Sequence, residues 1–181
     1  MIRIGIVGHR YLGSPAVSAF VARQCSAILK HAQATHNNVM ALSALAEGSD
    51  TLFAEAALTL DIPLEIVRPF EAYAGDFTSE PARLRHERLC AAARSEVQLP
   101  YVHRSDDAYR AAMGWIVTNT DVLVAVWDGR PAEVGGATGY AIEQANRLHH
   151  PWIHLNVTDL QVTFHTMMPF LVTAGNSTAS T

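Results

Sequence analysis

Apolar residues in this chain fall in short blocks that alternate between strand-like and helical periods. Ile2 to Val7 is a β-branched run closed by Gly8, the pattern of a buried strand. From Ser14-Pro15 to about Gln33, Val17, Phe20, Val21, Ile28 and Leu29 recur at helical spacing. The serine suits an N-cap, and proline is tolerated in the first turn. Val39 to Ser43 predicts a second strand, a turn at Glu47-Gly48 follows, and a helix runs from about Asp50 to Leu60. Pro63 to Val67 is a third strand, stopped by Arg68-Pro69. Arg68 to Thr78 is a loop carrying Phe70, Tyr73 and Phe77, suited to a lid or a dimer contact. Ser79-Glu80-Pro81 opens a helix to about Arg94, and Glu96 to Arg104 fits a short strand and a turn. Ser105-Asp106-Asp107 caps a helix to about Asn119, and Asp121 to Val126 is the clearest strand, short, β-branched and apolar. Gly135 to Gly139 leads into a helix ending near His149, and Pro151 to Leu155 is a further strand.

Strands alternating with helices predict an α/β fold: a single Rossmann-like domain over residues 1–157, its open, mostly parallel sheet of five to seven strands covered by helices on both faces. Residues 158–172 are expected to form a C-terminal extension packed on that domain, and 173–181 a disordered tail. In open parallel sheets, ligands bind beyond the carboxyl ends of the strands. That rule nominates Gly8 to Tyr11, Ser43 to Asp50, Arg68 to Phe70, Trp127 to Gly139, and Asn156.

Composition narrows the chemistry. The chain has 181 residues, 49% hydrophobic and 17% charged, enough to bury a core without staples. No apolar run approaches the ~20 residues of a membrane span, and Ile4 to Val7 is too short for a signal sequence. Cys25 and Cys90 lie in helical patterns without metal spacing, so a reduced, cytoplasmic protein is expected. A net charge of −4 argues against broad phosphate neutralisation, making nucleic acid an unexpected partner. The only lysine, Lys30, lies mid-helix, which leaves no basis for a Schiff-base enzyme.

Several motifs fail on spacing. Gly5, Gly8 and Gly13 do not make G-x-G-x-x-G, and Ser14-Pro15 stand where a Walker loop needs Lys and Ser/Thr. His150 and His154 have helical spacing inside a strand pattern, so no metal site is expected. No G-x-S-x-G elbow is present. No cofactor is implied.

Three loops remain. Gly8-His9-Arg10 follows the first strand, where amides at a helix entry favour anions and Arg10 can add a bidentate contact; the plainer role for His9 and Arg10 is to cap the turn at the surface. Ser43 to Asp50 is built of small residues, with Gly48 for a sharp turn and Glu47 or Asp50 to accept from ribose hydroxyls; the plainer role for Asp50 or Ser49 is helix N-cap. Gly135, Gly136, Ala137, Thr138 and Gly139 follow the loop of Trp127, Asp128, Gly129 and Arg130. Two glycines before a helix leave amides open to an anion, Thr138 can donate its hydroxyl, and Trp127 can stack on a base. The helix carrying Arg83, Arg85, His86 and Arg88 reads as a solvated or interface surface.

Together, Gly5-Ile6-Val7-Gly8-His9-Arg10, Ser43 through Asp50, Asp121 through Gly129 and Gly135-Gly136 resemble the SLOG superfamily, which spans the Smf/DprA DNA-processing proteins and the LOG phosphoribohydrolases. The second segment is similar to the S-G-L-A-x-G-x-D turn of the DNA-processing branch, with Ala44 in place of its first glycine. The resemblance implies a nucleotide or nucleotide-derived ligand, phosphate at the Gly135–Gly139 helix start, and a homodimer. The enzymes of the group carry P-G-G-x-G-T-x-x-E. Here Val134 replaces the proline, Thr138-Gly139 inverts the order, and Ile142 stands at the glutamate, with Glu143 one residue late and about 100° round the helix. Ala112 stands near the expected arginine, with Arg110 two residues earlier.

The leading expectation is therefore a nucleotide-binding sensor or accessory domain, with Gly8, His9, Arg10, Ser43, Glu47, Gly48, Trp127, Asp128, Gly129 and the Gly135–Gly139 loop on the ligand, and Glu47 or Asp128 taking the sugar. The alternative is a nucleoside 5′-monophosphate N-glycosidase or deoxyribosyltransferase, with Glu47, Asp128 or Glu143 as its catalytic carboxylate. A single-stranded DNA-binding protein is the third.

Overall fold

The structure is a computed structural model and describes residues 1–130 and 136–165. Its seven-stranded sheet runs β4-β3-β2-β1-β5-β6-β7. The strands are β1 (Ile2–Gly8), β2 (Val39–Ser43), β3 (Leu64–Arg68), β4 (Ser95–Gln98), β5 (Val122–Trp127), β6 (Trp152–Asn156) and β7 (Gln161–His165). The helices are α1 (Pro15–Thr35), α2 (Ser49–Thr59), α3 (Glu80–Ala92), α4 (Asp106–Thr118) and α5 (Ala137–Arg147), with a 3-10 turn at Tyr73–Asp76. All pairings are parallel except β6 with β7. The fold is the expected single α/β domain with a mostly parallel sheet.

Alternation along β1 builds the two layers. Ile4 and Ile6 face α1 and α2, where Val21, Cys25, Leu29, Phe53 and Ala57 are buried against them. Val7 faces α4 and α5, beside Ile116, Ala141 and Trp152. Cys25 is fully buried in the α1 stripe, whereas Val17 and Ile28, expected in it, are only partly buried. Truncating a core aromatic such as Phe53 costs about 3–5 kcal/mol. Serines 14, 79 and 105 cap α1, α3 and α4 through their side chains.

Three local expectations change. Phe70, Tyr73 and Phe77 form neither a lid nor an exposed dimer contact: they are buried with Ala108 in a third apolar cluster. Their edge-to-face contacts with Tyr109 and one another explain the closure. Arg85 and Arg88 are not simply solvated: both donate to Glu55 of α2 at 2.5–2.8 Å, tying α3 to α2. Part of the C-terminal extension is a strand, because Gln161 to His165 extends the sheet antiparallel to β6. The tail 173–181 lies outside the described residues.

Strand order places the topological switch between β1 and β5. The chain leaves β1 toward β2, β3 and β4, then returns to the other side of β1 for β5. A crevice must open above the carboxyl ends of β1 and β5, where flanking connections run to opposite faces.

Candidate functional site

The turns after β1 and β2 are locked together. A Cβ at Gly8 would lie 2.6 Å from Ser49 Oγ and from Val126 Cβ. Gly48 adopts φ +85, and a Cβ there would press on the carbonyl oxygens of Arg10 and His9. Both positions therefore need glycine for close approach, and Gly48 also for its conformation. Ser49 seals the joint: its amide donates to His9 O at 3.2 Å and its hydroxyl to the same oxygen at 3.1 Å. His9 reaches the third turn, accepting at Nε2 from the Asp128 amide at 3.1 Å.

Above this junction sits a cavity of about 310 Å³. Gly8, His9 and Arg10 line it from the β1 turn, Ala44, Ala46 and Asp50 from the β2 turn, and Ala137 and Thr138 from the start of α5. Arg104, Asp106, Tyr109 and Met113 close the remaining side with Tyr73. Asp106, Tyr109 and Met113 share one face of α4 through their i, i+3, i+7 spacing.

Arg10 and Arg104 carry the positive charge of the cavity. Asp76, itself almost buried, holds both: Arg10 Nη2 donates to Oδ2 at 3.1 Å and Arg104 Nε lies 3.8 Å from Oδ1. The Tyr109 hydroxyl also donates to Asp76 Oδ2. Each guanidinium lies within 6 Å of the Tyr109 ring centroid, at 5.5 Å for Arg10 and 5.9 Å for Arg104. Asp76 itself does not line the cavity, so the two guanidiniums stand between it and a ligand, with Asp106 on the same wall. The first amides of α5 and the Thr138 hydroxyl add an anion-favouring edge.

The opposite wall holds a buried acid. Asp50 is 2% exposed. Burial pushes its carboxyl up to about 7, against the lowering effects of the Ala46 amide, Arg10, Ser43 and Ser49. Its contacts are long: Ser43 Oγ and Ala46 N each lie 3.4 Å from Oδ2, and Ser49 Oγ 3.5 Å from Oδ1. Neither Asp50 nor Ser49 is the helix cap, because Gly48 occupies that position and Asp50 falls in the first turn.

The nominated residues separate accordingly. Gly8, His9, Arg10, Ala137 and Thr138 line the cavity. Ser43 is buried behind it beside Asp50, and Gly48 shapes the turn. Glu47 faces a neighbouring depression with Arg10, Tyr11, Thr51 and Arg85. Trp127 does not line the cavity: it lies against His154 at a 5.6 Å centroid distance, and its carbonyl accepts from His154 Nε2. The Asp128 carboxylate accepts from the Arg130 amide and Nε at 3.0 and 2.9 Å. Burial opposes its ionisation, but the hydrogen bonds from the Arg130 amide and side chain hold it below the usual range. Gly129 makes the positive-φ turn beside it. Glu143 is exposed on α5, Gly139 is buried within the helix, and Gly136 caps it. Gly135 lies outside the described residues. Of the three nominated carboxylates, none lines the cavity; Asp50 and Asp106 do.

Sequence reasoning missed Tyr73, Arg104, Tyr109 and Met113. The α4 stripe was the available signal, since polar Asp106 and Tyr109 share a face with Met113. Tyr73 had none, because the Arg10, Asp50 and Tyr109 that share the cavity with it are distant in sequence.

No family model matches the chain, and no curated protein sequence matches it. Solved structures do. DNA processing protein A from Helicobacter pylori, whose structure concerns its single-stranded DNA binding mode, superposes with a TM-score of 0.60 and 16% identity. The match covers 87% of this chain and 70% of that one. DprA from Streptococcus pneumoniae superposes with a TM-score of 0.59 and 16% identity, covering 85% of this chain; this chain spans 50% of it. At this identity the likeness is one of fold. A structural-genomics target, TM1055, shares it at a TM-score of 0.53 and 14% identity over 84% of this chain and 72% of that one.

One expectation is corrected by these likenesses. The net charge of −4 makes nucleic acid an unexpected partner, yet the H. pylori protein of similar fold is one whose structure concerns single-stranded DNA binding. Overall charge averages over the whole surface, whereas a strand would meet only the local field of its groove. Among the described residues, no helix is long and apolar enough to cross a membrane.

Proposed function

We propose that this chain binds a nucleoside phosphate at the β1/β5 switch point, as a sensor or accessory domain. One observation carries the reading: a single cavity gathers Arg10, Arg104, Thr138 and the opening turn of α5 on one side, and a buried carboxyl on the other. Phosphate sits against Thr138 and the α5 amides, and Arg10 neutralises it. Met113, Ala44 and Ala46 supply an apolar wall for the rest of the ligand.

The test is calorimetric titration with ribo- and deoxyribonucleoside 5′-monophosphates, followed by mass spectrometry for free base. Binding without base release is expected, with affinity falling about tenfold or more in Arg10→Ala. An unchanged affinity in that variant rejects the site. Base release instead makes the chain a glycosidase, and the cavity carboxyl Asp50 its first candidate.

A second reading is supported by the groove beyond Arg10. A depression of about 370 Å³ continues from Arg10 past Tyr11, Gly13, Leu52 and Arg85. Tyr11 is 84% exposed there, as a stacking platform for a base would be. Single-stranded DNA following this groove would bind with steep salt dependence, weakened by Tyr11→Ala. Salt-insensitive or absent retention removes this reading.

A further inference from the structure

Tyr73 is a buried polar side chain left without a well-formed hydrogen bond at the proposed ligand cavity. The residue is 1% exposed and lines the cavity from the 3-10 turn. Its hydroxyl closes no well-formed hydrogen bond among the described residues, although the Arg10 guanidinium comes near enough to interact with it. The Arg10 guanidinium and the Asp50 carboxyl both lie within its electrostatic reach, but neither closes a bond of normal geometry to it. A buried hydroxyl without a partner is costly and uncommon in native proteins, so such a group calls for an explanation. Its ring is fixed by Phe70 and Phe77 at centroid distances of 5.3 and 5.6 Å, which leaves the hydroxyl little freedom to seek another partner.

Asp50 shows the matching deficit. Its Oδ1 has Ser49 Oγ at 3.5 Å, yet that hydroxyl carries one proton and lies closer to His9 O, at 3.1 Å. Oδ2 has two contacts at 3.4 Å, the long end of hydrogen bonding. A donor phenol and an under-used acceptor carboxyl therefore face one cavity, beside the wall that carries Arg10.

We infer that Tyr73 and Asp50 form a diol clamp for the ribose of the ligand, so that the site selects ribonucleoside phosphates over their 2′-deoxy counterparts. One sugar hydroxyl donates to Asp50 while its neighbour accepts from the Tyr73 phenol. A deoxyribose leaves one member of the clamp desolvated and unpaired, which is how sites built around a hydroxyl reject analogues that lack it. This inference rests on the nucleoside phosphate reading above.

The experiment measures dissociation constants of the full-length protein for ribose 5-phosphate, 2-deoxyribose 5-phosphate, and the four ribonucleoside 5′-monophosphates with their deoxy counterparts. Wild type is expected to prefer the ribo form by roughly tenfold or more. Tyr73→Phe should fold normally, because the lost hydroxyl closes no well-formed hydrogen bond in the protein, and should reduce the preference to within about threefold by weakening only the ribo ligands. Asp50→Asn should also erode it. Equal binding of ribo and deoxy forms by wild type overturns the clamp while leaving the nucleoside phosphate reading intact. A ribo preference that survives Tyr73→Phe overturns the clamp as well. If wild type binds none of the probes, the parent reading falls and takes the clamp with it.

Discussion

Replacing Asp50 by Asn tests the electrostatics of the cavity wall without any ligand. Bringing this carboxyl from 3.8 to about 7 on folding corresponds to about 4 kcal/mol, at roughly 1.4 kcal/mol per tenfold change in proton affinity. The sign follows from the direction. A group whose pKa is raised in the folded state contributes its full stability below the unfolded value, near 3.8, and loses it as pH rises through about 7. Wild type therefore carries an increasing penalty as the buried carboxylate is forced to ionise, whereas asparagine stays neutral throughout. The stability gap between D50N and wild type should widen by about 3 kcal/mol, in favour of the variant, from about pH 4.5 to about pH 8. For a chain of this length that is a difference of roughly 6–12 °C in Tm. Paired thermal melts across this range by circular dichroism supply the measurement, and the difference between proteins cancels the titration of other groups. A gap that stays constant or closes with rising pH would refute the reasoning, because it would mean that Asp50 is ionised in the folded protein near its ordinary value.

Two further predictions concern the frame around the site. Gly48→Ala combines a forced φ of +85 with a Cβ directed at the carbonyl oxygens of His9 and Arg10, so it should cost about 2–4 kcal/mol in chemical denaturation; a loss under about 0.5 kcal/mol would show that the two turns are not interlocked. Glu55→Ala removes the acceptor for Arg85 and Arg88, and after solvent screening it should cost about 1 kcal/mol at neutral pH. Hydrogen bonding to Arg85 is the leading cause that holds the Glu55 carboxyl below 4.5. Its contribution is therefore present above the unfolded value and fades as pH falls, so equal losses for this variant at neutral and strongly acid pH would contradict the pairing.

Much of the architecture was legible because buried strands and amphipathic helices impose different apolar periods. β1, β2, β3, β5 and β6 fall where short, largely apolar runs predict them, and three helix starts coincide with Ser14, Ser79 and Ser105. β7 was less visible, since Gln161, Thr163 and His165 give one face of a short edge strand a polar appearance. The site was legible in its backbone and much less so in its side chains. Gly8, Arg10 and Thr138 follow from strand ends, which parallel topology brings together. Asp50 and Glu47 are three positions apart in one turn, and only folding sends one to the cavity and the other to a neighbouring depression. Arg104 and Tyr109 meet Arg10 through Asp76 across more than sixty residues of sequence, a contact no local pattern encodes.

The most direct test of the nucleoside phosphate site is a crystal structure of the protein with the nucleoside 5′-monophosphate that binds best in titration. The account predicts phosphate oxygens at about 3 Å from the Thr138 hydroxyl and the Arg10 guanidinium, above the carboxyl ends of β1 and β5. A phosphate bound outside this cavity, with Thr138 and Arg10 making no contact to it, would contradict the account.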